Sequence, residues 1–204
     1  MNSSRTIGTI GILLLAFPIG YAEWSASQDP IAIVEEFCQE DFNGARLYQG
    51  SRSKLDSLIS WVGESGWDMS VIVGGYKISD INSFGDSVKV RVEYDVLGII
   101  GGWNWITQDS TWVYSSLWDG YAVTNFTLFR SANGWHITKP TIPPHVSPEA
   151  KLLSLEAYKL SGFIPEDEKA VVDHVIQIMR TIVSERDRHT IPPRSSVSKP
   201  SNLD

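Results

Sequence analysis

The chain has 204 residues, with 17 basic and 24 acidic side chains and a formal charge of −7. It carries no dense Lys or Arg cluster of the kind that phosphate contacts need, so nucleic acid and anionic lipid are poor partners. Its single cysteine, Cys38, excludes an internal disulfide and a thiolate metal cluster.

Arg5 is the sole charge before residue 23, and an uncharged stretch with the apolar block Ile10 to Phe17 follows it. Gly20-Tyr21-Ala22 then places small residues where signal peptidase needs them. The expectation is a signal peptide over residues 1–22 and export to the periplasm or beyond. No stable membrane insertion is expected once the signal is cleaved; an uncleaved N-terminal anchor is the alternative. The apolar block is short against the roughly 20 residues a spanning helix needs. The remaining organisation reads as a helix-plus-curved-sheet domain over 23–146, a helical extension over 147–187 packed on it, and a disordered polar tail over 188–204.

Asp29 can cap a helix with Pro30 in its first turn, and Ile31, Val34, Phe37 and Phe42 recur near the helical period until Asn43-Gly44. Cys38 falls in this pattern as a small core residue. A second helix is expected over Ser51–Val62 from Leu55, Leu58, Ile59 and Val62, closed by Gly63 and Gly66. The period then changes. Val88, Val90, Val92, Tyr94 and Val96 alternate with charged residues, which predicts a strand with one buried face. Met69–Ile81 reads as its hairpin partner, with a turn at Phe84-Gly85-Asp86 and a bulge at Gly74-Gly75.

Residues 98–109 are the least regular stretch. Trp103 and Trp105, flanked by glycines, suit a mobile lid, an exposed contact for a partner, or a buried plug. Asp119-Gly120 and Asn133-Gly134 predict two hairpin turns joining strands Thr111–Trp118, Tyr121–Arg130 and Trp135–Lys139. Prolines 140, 143 and 144 end the sheet. Ser147-Pro148 opens a helix to about Leu160, and Pro165 opens another to about Val183.

This order makes the fold class α+β: N-terminal helices packed on a curved, cone-like antiparallel sheet, with two C-terminal helices. Over residues 29–146 it resembles the nuclear-transport-factor-2-like superfamily. The resemblance rests on element order, the bent hairpin Met69 to Val96, and Gly134-Trp135-His136-Ile137 before a proline. It implies a cone with an internal pocket. A cystatin-like sheet wrapped on one helix is the alternative.

Two-residue turns would pair Trp118 with Tyr121 and Ser131 with His136. One face then carries Trp112, Tyr114, Trp118, Tyr121, Phe129 and His136, and the other Val113, Leu117, Phe126, Leu128, Trp135 and Ile137. The aromatic face either lines a small-molecule pocket or packs a core or a homodimer interface through the sheet. His136, read as the only histidine within the sheet, is a candidate base with Tyr94 as a hydrogen-bond donor. Both have structural readings as well. Asp95 falls on the polar side of its strand, and His145 in a connector.

No zinc helix motif, nucleophile elbow, phosphate loop or dinucleotide fingerprint occurs, so no metal and no cofactor are expected. Three readings compete. The first is a non-catalytic exported module that holds a small apolar ligand or an envelope protein in or beside the aromatic cone. The second, implied by the resemblance, is an isomerase- or cyclase-like enzyme with His136 as base. The third is an envelope assembly protein that docks through its C-terminal helices.

Overall fold

The computed structural model describes residues 29–47, 53–61, 67–102, 104–107 and 115–189. The expected signal peptide, Trp103, Trp112, Tyr114 and the tail from residue 190 lie outside this set.

The alternating valines build the centre of the molecule. Strand β1 (Met69–Phe84) and strand β2 (Ser87–Gly101) form a long antiparallel hairpin closed by Gly85-Asp86, where Gly85 has a φ of 59°. A left-handed turn residue costs glycine nothing, having no Cβ to clash. Gly74 and Gly75 are the expected bulge: Val73 pairs with Val96 and Tyr76 with Tyr94, so the two glycines stand opposite Asp95 alone. The extra residue bends the strand and begins the curl of the sheet.

Strand β2 runs through the glycines to Gly101, so the irregular stretch expected after residue 98 is largely sheet. Strand β3 (Asn104–Ile106) folds back on it, pairing Ile100 with Trp105. A Cβ on Gly98 would collide with the Trp105 ring, so the glycine is what lets that indole lie against the strand. Trp105 is partly buried and packs with the core under the C-terminal helices.

The sequence predicts a strand at Thr111–Trp118 with a turn at Asp119-Gly120. Instead, helix α3 (Ser115–Ala122) runs through both turn residues. The reason is tertiary: the side of β2 away from β1 is already occupied by β3 and, from Glu93 to Ser87, by strand β4 (Val123–Ser131). A further strand would have to displace one of them.

Asn133-Gly134 does close a hairpin, between β4 and strand β5 (Gly134–Lys139), but with Ser131 opposite Gly134 and Phe129 opposite His136. The register differs by two residues from the expected one. A two-residue slip keeps every side chain on its face, whereas a one-residue slip would have inverted them all. Leu128 and Ile137 therefore stay on one face, as expected, and it is this face, not the one with Phe129 and His136, that points inward and is fully buried.

Helix α1 (Pro30–Phe42) begins as its sequence dictates, with the Asp29 carboxylate accepting from the Ile31 N–H at 2.9 Å, and ends at Asn43 before Gly44. The second helix is cut to one turn, α2 (Ser53–Asp56). Leu55, Leu58 and Ile59 are buried all the same, because the chain after α2 lies along the edge of β5. The Leu58 carbonyl accepts from the Ile137 N–H, and Ser60 N–H donates back to the Ile137 carbonyl. Pairing with the sheet edge replaces the helical bonds.

The last strand, β6 (His145–Val146), pairs parallel with Val71 and Ile72. Helix α4 (Pro148–Leu160) follows, capped by the Ser147 hydroxyl on the Ala150 N–H at 3.1 Å. Helix α5 (Lys169–His189) starts four residues after Pro165 and outlasts Val183.

The result is an α+β half-barrel in which the curled mixed sheet runs β5-β4-β2-β1-β6. One core lies between its concave face and α1, around Phe37, Val90, Val92, Phe126 and Leu128. A second core lies on the other face of the β1–β2 end, where Ile72, Ile100 and Val146 meet Leu155, Val172, Ile176 and Met179 of α4 and α5. The C-terminal helices are thus the third layer of one structure. Among the described residues, no helix is long and apolar enough to cross a membrane.

Candidate functional site

The expected aromatic face falls only in part among the described residues. Trp112 and Tyr114 lie outside the described residues, and Trp118 belongs to α3 and not to a strand. Phe129 and His136 are cross-strand neighbours on the outer side of the sheet, with Phe129 52% exposed. Tyr121 stands apart from both, donating its hydroxyl to the Met69 sulfur at 3.3 Å. Tyr94 is buried on the concave side, so it and His136 occupy opposite faces and cannot act on one substrate atom. Asp95 is exposed, as its position in the alternation demands.

Among the described residues, aromatic rings pack on one another inside the cone. The Phe37 ring meets Phe126 edge-on at 5.4 Å and Trp61 at 6.2 Å, and Tyr76 lies between Phe42 and Tyr94. Beneath these rings sits a polar network that no sequence motif marks. Arg46 binds Asp41 through two parallel bonds, Nε to Oδ1 at 2.8 Å and Nη2 to Oδ2 at 2.7 Å. Its guanidinium also donates to the Ile142 and Pro143 carbonyls at 2.7 and 2.9 Å. Asp41 Oδ2 accepts from the His145 N–H at 2.9 Å as well. A bidentate pair with its other donors bonded to carbonyls is the geometry that lets an ion pair survive burial.

His145 is the histidine that the proline-rich surroundings concealed: it is part of the sheet, in β6, and almost wholly buried. Its ring lies 4.3 Å from that of Tyr94, with Nδ1 at 2.8 Å from the Pro143 carbonyl and Nε2 at 3.0 Å from the Tyr121 carbonyl. Burial holds its pKa below the ordinary histidine value, against the Asp41 carboxylate and the two carbonyls, which favour the cation. A neutral imidazole donates from one nitrogen only, so one of these carbonyls faces a bare lone pair. The Cys38 sulfur is 3.4 Å from the Tyr94 hydroxyl, and burial pushes the thiol up to about 12. The Tyr94 hydroxyl is raised as well, again by burial first.

These shifts all favour the uncharged form. A buried thiol held protonated is a poor nucleophile. The network ties α1 to the segment before β6. Among the described residues, no group of three or more His, Cys, Asp or Glu could hold a metal ion.

A candidate surface lies on the opposite side, on α4. Leu152, Leu155 and Tyr158 face the second core. Leu153, Ala157 and Leu160 recur at helical spacing on the other side of the same helix and all are exposed. Leu153 is 63% exposed and Leu160 88% exposed, and Phe163 in the elbow before α5 is 81% exposed. Gly162 turns the elbow with a φ of 75°. Beside it is a hollow of about 360 Å³ lined by Lys159, Gly162, Ile164, Lys169 and Asp173. Lys159 pairs with Asp173 across the hollow, and Lys169 pairs with Glu166 at its rim.

The chain matches no known family model, no curated protein and no solved structure.

Proposed function

We propose that this protein is an exported, non-catalytic binding module that takes a protein partner along the outer stripe of α4 and the elbow at Phe163. The observation that supports this most is a helix apolar on two opposite faces. A surface helix ordinarily has one apolar stripe, directed at the core, and a helix apolar on both sides is covered on both. Leu155 and Leu152 account for one stripe of α4. Leu153, Leu160 and Phe163 have no cover among the described residues. An apolar centre rimmed by charged pairs, here Lys159–Asp173 and Lys169–Glu166, is the composition of a specific protein contact. The acidic run Glu166-Asp167-Glu168 beside it repels anionic lipid, which favours a protein over a membrane surface. The buried Cys38 thiol and Tyr94 phenol, both held in the uncharged form, support binding over catalysis.

The test places a photo-activated cross-linking residue at Leu153 or Phe163 in the producing cell, with Phe84 on the hairpin tip as comparison. A discrete adduct from the α4 positions, absent from Phe84 and lost on Leu160→Glu, is expected. Equal cross-linking from all three positions removes the reading. An adduct of twice the chain mass assigns the stripe to self-association instead.

A further inference from the structure

Lys151 lies on α4 between the helix and the start of β1. Its Nζ donates to the Ser70 hydroxyl at 3.2 Å, and no carboxylate among the described residues pairs with it. Ser70 is 5% exposed and faces the same side as Ile72 and Ile100, in the core that also takes Leu152 and Trp105. An ammonium wants three acceptors and a counter-charge. Here one hydroxyl stands against its desolvation. Burial alone holds its pKa at about 8. Lys151 as a whole residue keeps partial exposure.

A desolvated lysine in apolar surroundings is the activated form of an amine nucleophile, because the neutral amine is populated near neutral pH. A hydroxyl within hydrogen-bond reach can pass a proton. We propose that Lys151, assisted by Ser70, is a covalent binding site for an apolar aldehyde or ketone, held as an imine. The amine nitrogen attacks the carbonyl carbon, and the proton it loses moves to the carbonyl oxygen by way of the Ser70 hydroxyl. The resulting carbinolamine loses its oxygen as water, taking the second nitrogen proton, and a carbon–nitrogen double bond forms. One carbonyl compound and one amine give one imine and one water, with no change of oxidation state. Product and reactant differ by a polar ammonium, so the apolar walls that disfavour the cation favour the imine.

The experiment treats the intact folded protein with hexanal and sodium cyanoborohydride at pH 7.4 and follows each lysine by peptide mapping. Lys54, Lys159 and Lys169, all ion-paired, are the internal comparison. The neutral fraction of an amine with pKa 8 exceeds that of an ordinary lysine roughly 200-fold at this pH, and lower basicity takes back part of the gain. The Lys151 peptide should therefore be alkylated at least about tenfold faster than the other three. Ser70→Ala should slow Lys151 alone. Glyoxylate, a charged carbonyl compound, should reduce the preference for Lys151. Labelling of Lys151 at or below the rate of the paired lysines, or only after unfolding, overturns the proposal. So does a hexanal-to-glyoxylate rate ratio equal at all four lysines.

Discussion

Arg46 and Lys151 are both cations withdrawn from water, and they are treated in opposite ways. Arg46 meets a bidentate carboxylate and two carbonyls under the ring of Phe37, with its side chain 2% exposed. Lys151 meets one hydroxyl. The planar guanidinium is the better buried cation, because its donors are fixed in a fork that a carboxylate matches. Burial by itself therefore does not say whether a charge is structural. What decides is whether its donors are spent.

The largest effect should come from breaking the satisfied pair. Arg46→Met leaves Asp41 buried without a cation and strips the donors from two carbonyls. We expect a loss of about 3–5 kcal/mol, read by urea unfolding. A loss under about 1 kcal/mol would mean that water replaces the guanidinium.

Next is Lys151→Met, expected to stabilise the protein near neutral pH. The native pKa of about 8 lies below the unfolded lysine value, so the unfolded chain binds the proton more tightly. The penalty is complete below pH 8, and native stability recovers as pH rises from about 8 to about 10.4. The advantage of the methionine variant should fall by up to about 3 kcal/mol across that window. A constant difference would show that the amine is already solvated.

Cys38 probes the satisfied side. With its thiol protonated and buried, it should react with iodoacetamide only through unfolding, so its labelling rate should track denaturant. Labelling of the native protein at the rate of a free thiol would place the Tyr94–His145 region within reach of solvent.

The smallest effect should be on the outer stripe. Leu160→Glu and Phe163→Ser remove side chains that cover little else, and their unfolding free energies should stay within about 0.5 kcal/mol of the parent. A larger loss would mean that these residues belong to the core of α4 and α5.

Much of the architecture is legible in short-range patterns. The Asp29 and Ser147 caps, the β1–β2 alternation, the Gly74-Gly75 bulge and the Asn133-Gly134 turn each depend on residues a few positions apart. What misleads is also local: Asp119-Gly120 has the chemistry of a hairpin turn, and prolines 140 to 144 have that of a connector. The helix over one and the strand after the other depend on which sheet positions are already filled. His136 stands out for its place in a strand, yet His145 is the histidine with buried partners.

Patterning along the chain suffices for the α+β class, the main strands and the starts of α1 and α4. These follow from periodicity and capping, which act within a turn or a pleat. Other outcomes belong to the assembled layers: α2 stops after one turn, His145 joins the sheet, Leu153 and Leu160 face outward, and Lys151 loses its water. Each of these is set by what a distant segment brings alongside. Desolvation and strand pairing arise only when the layers meet, and no short stretch of residues contains them.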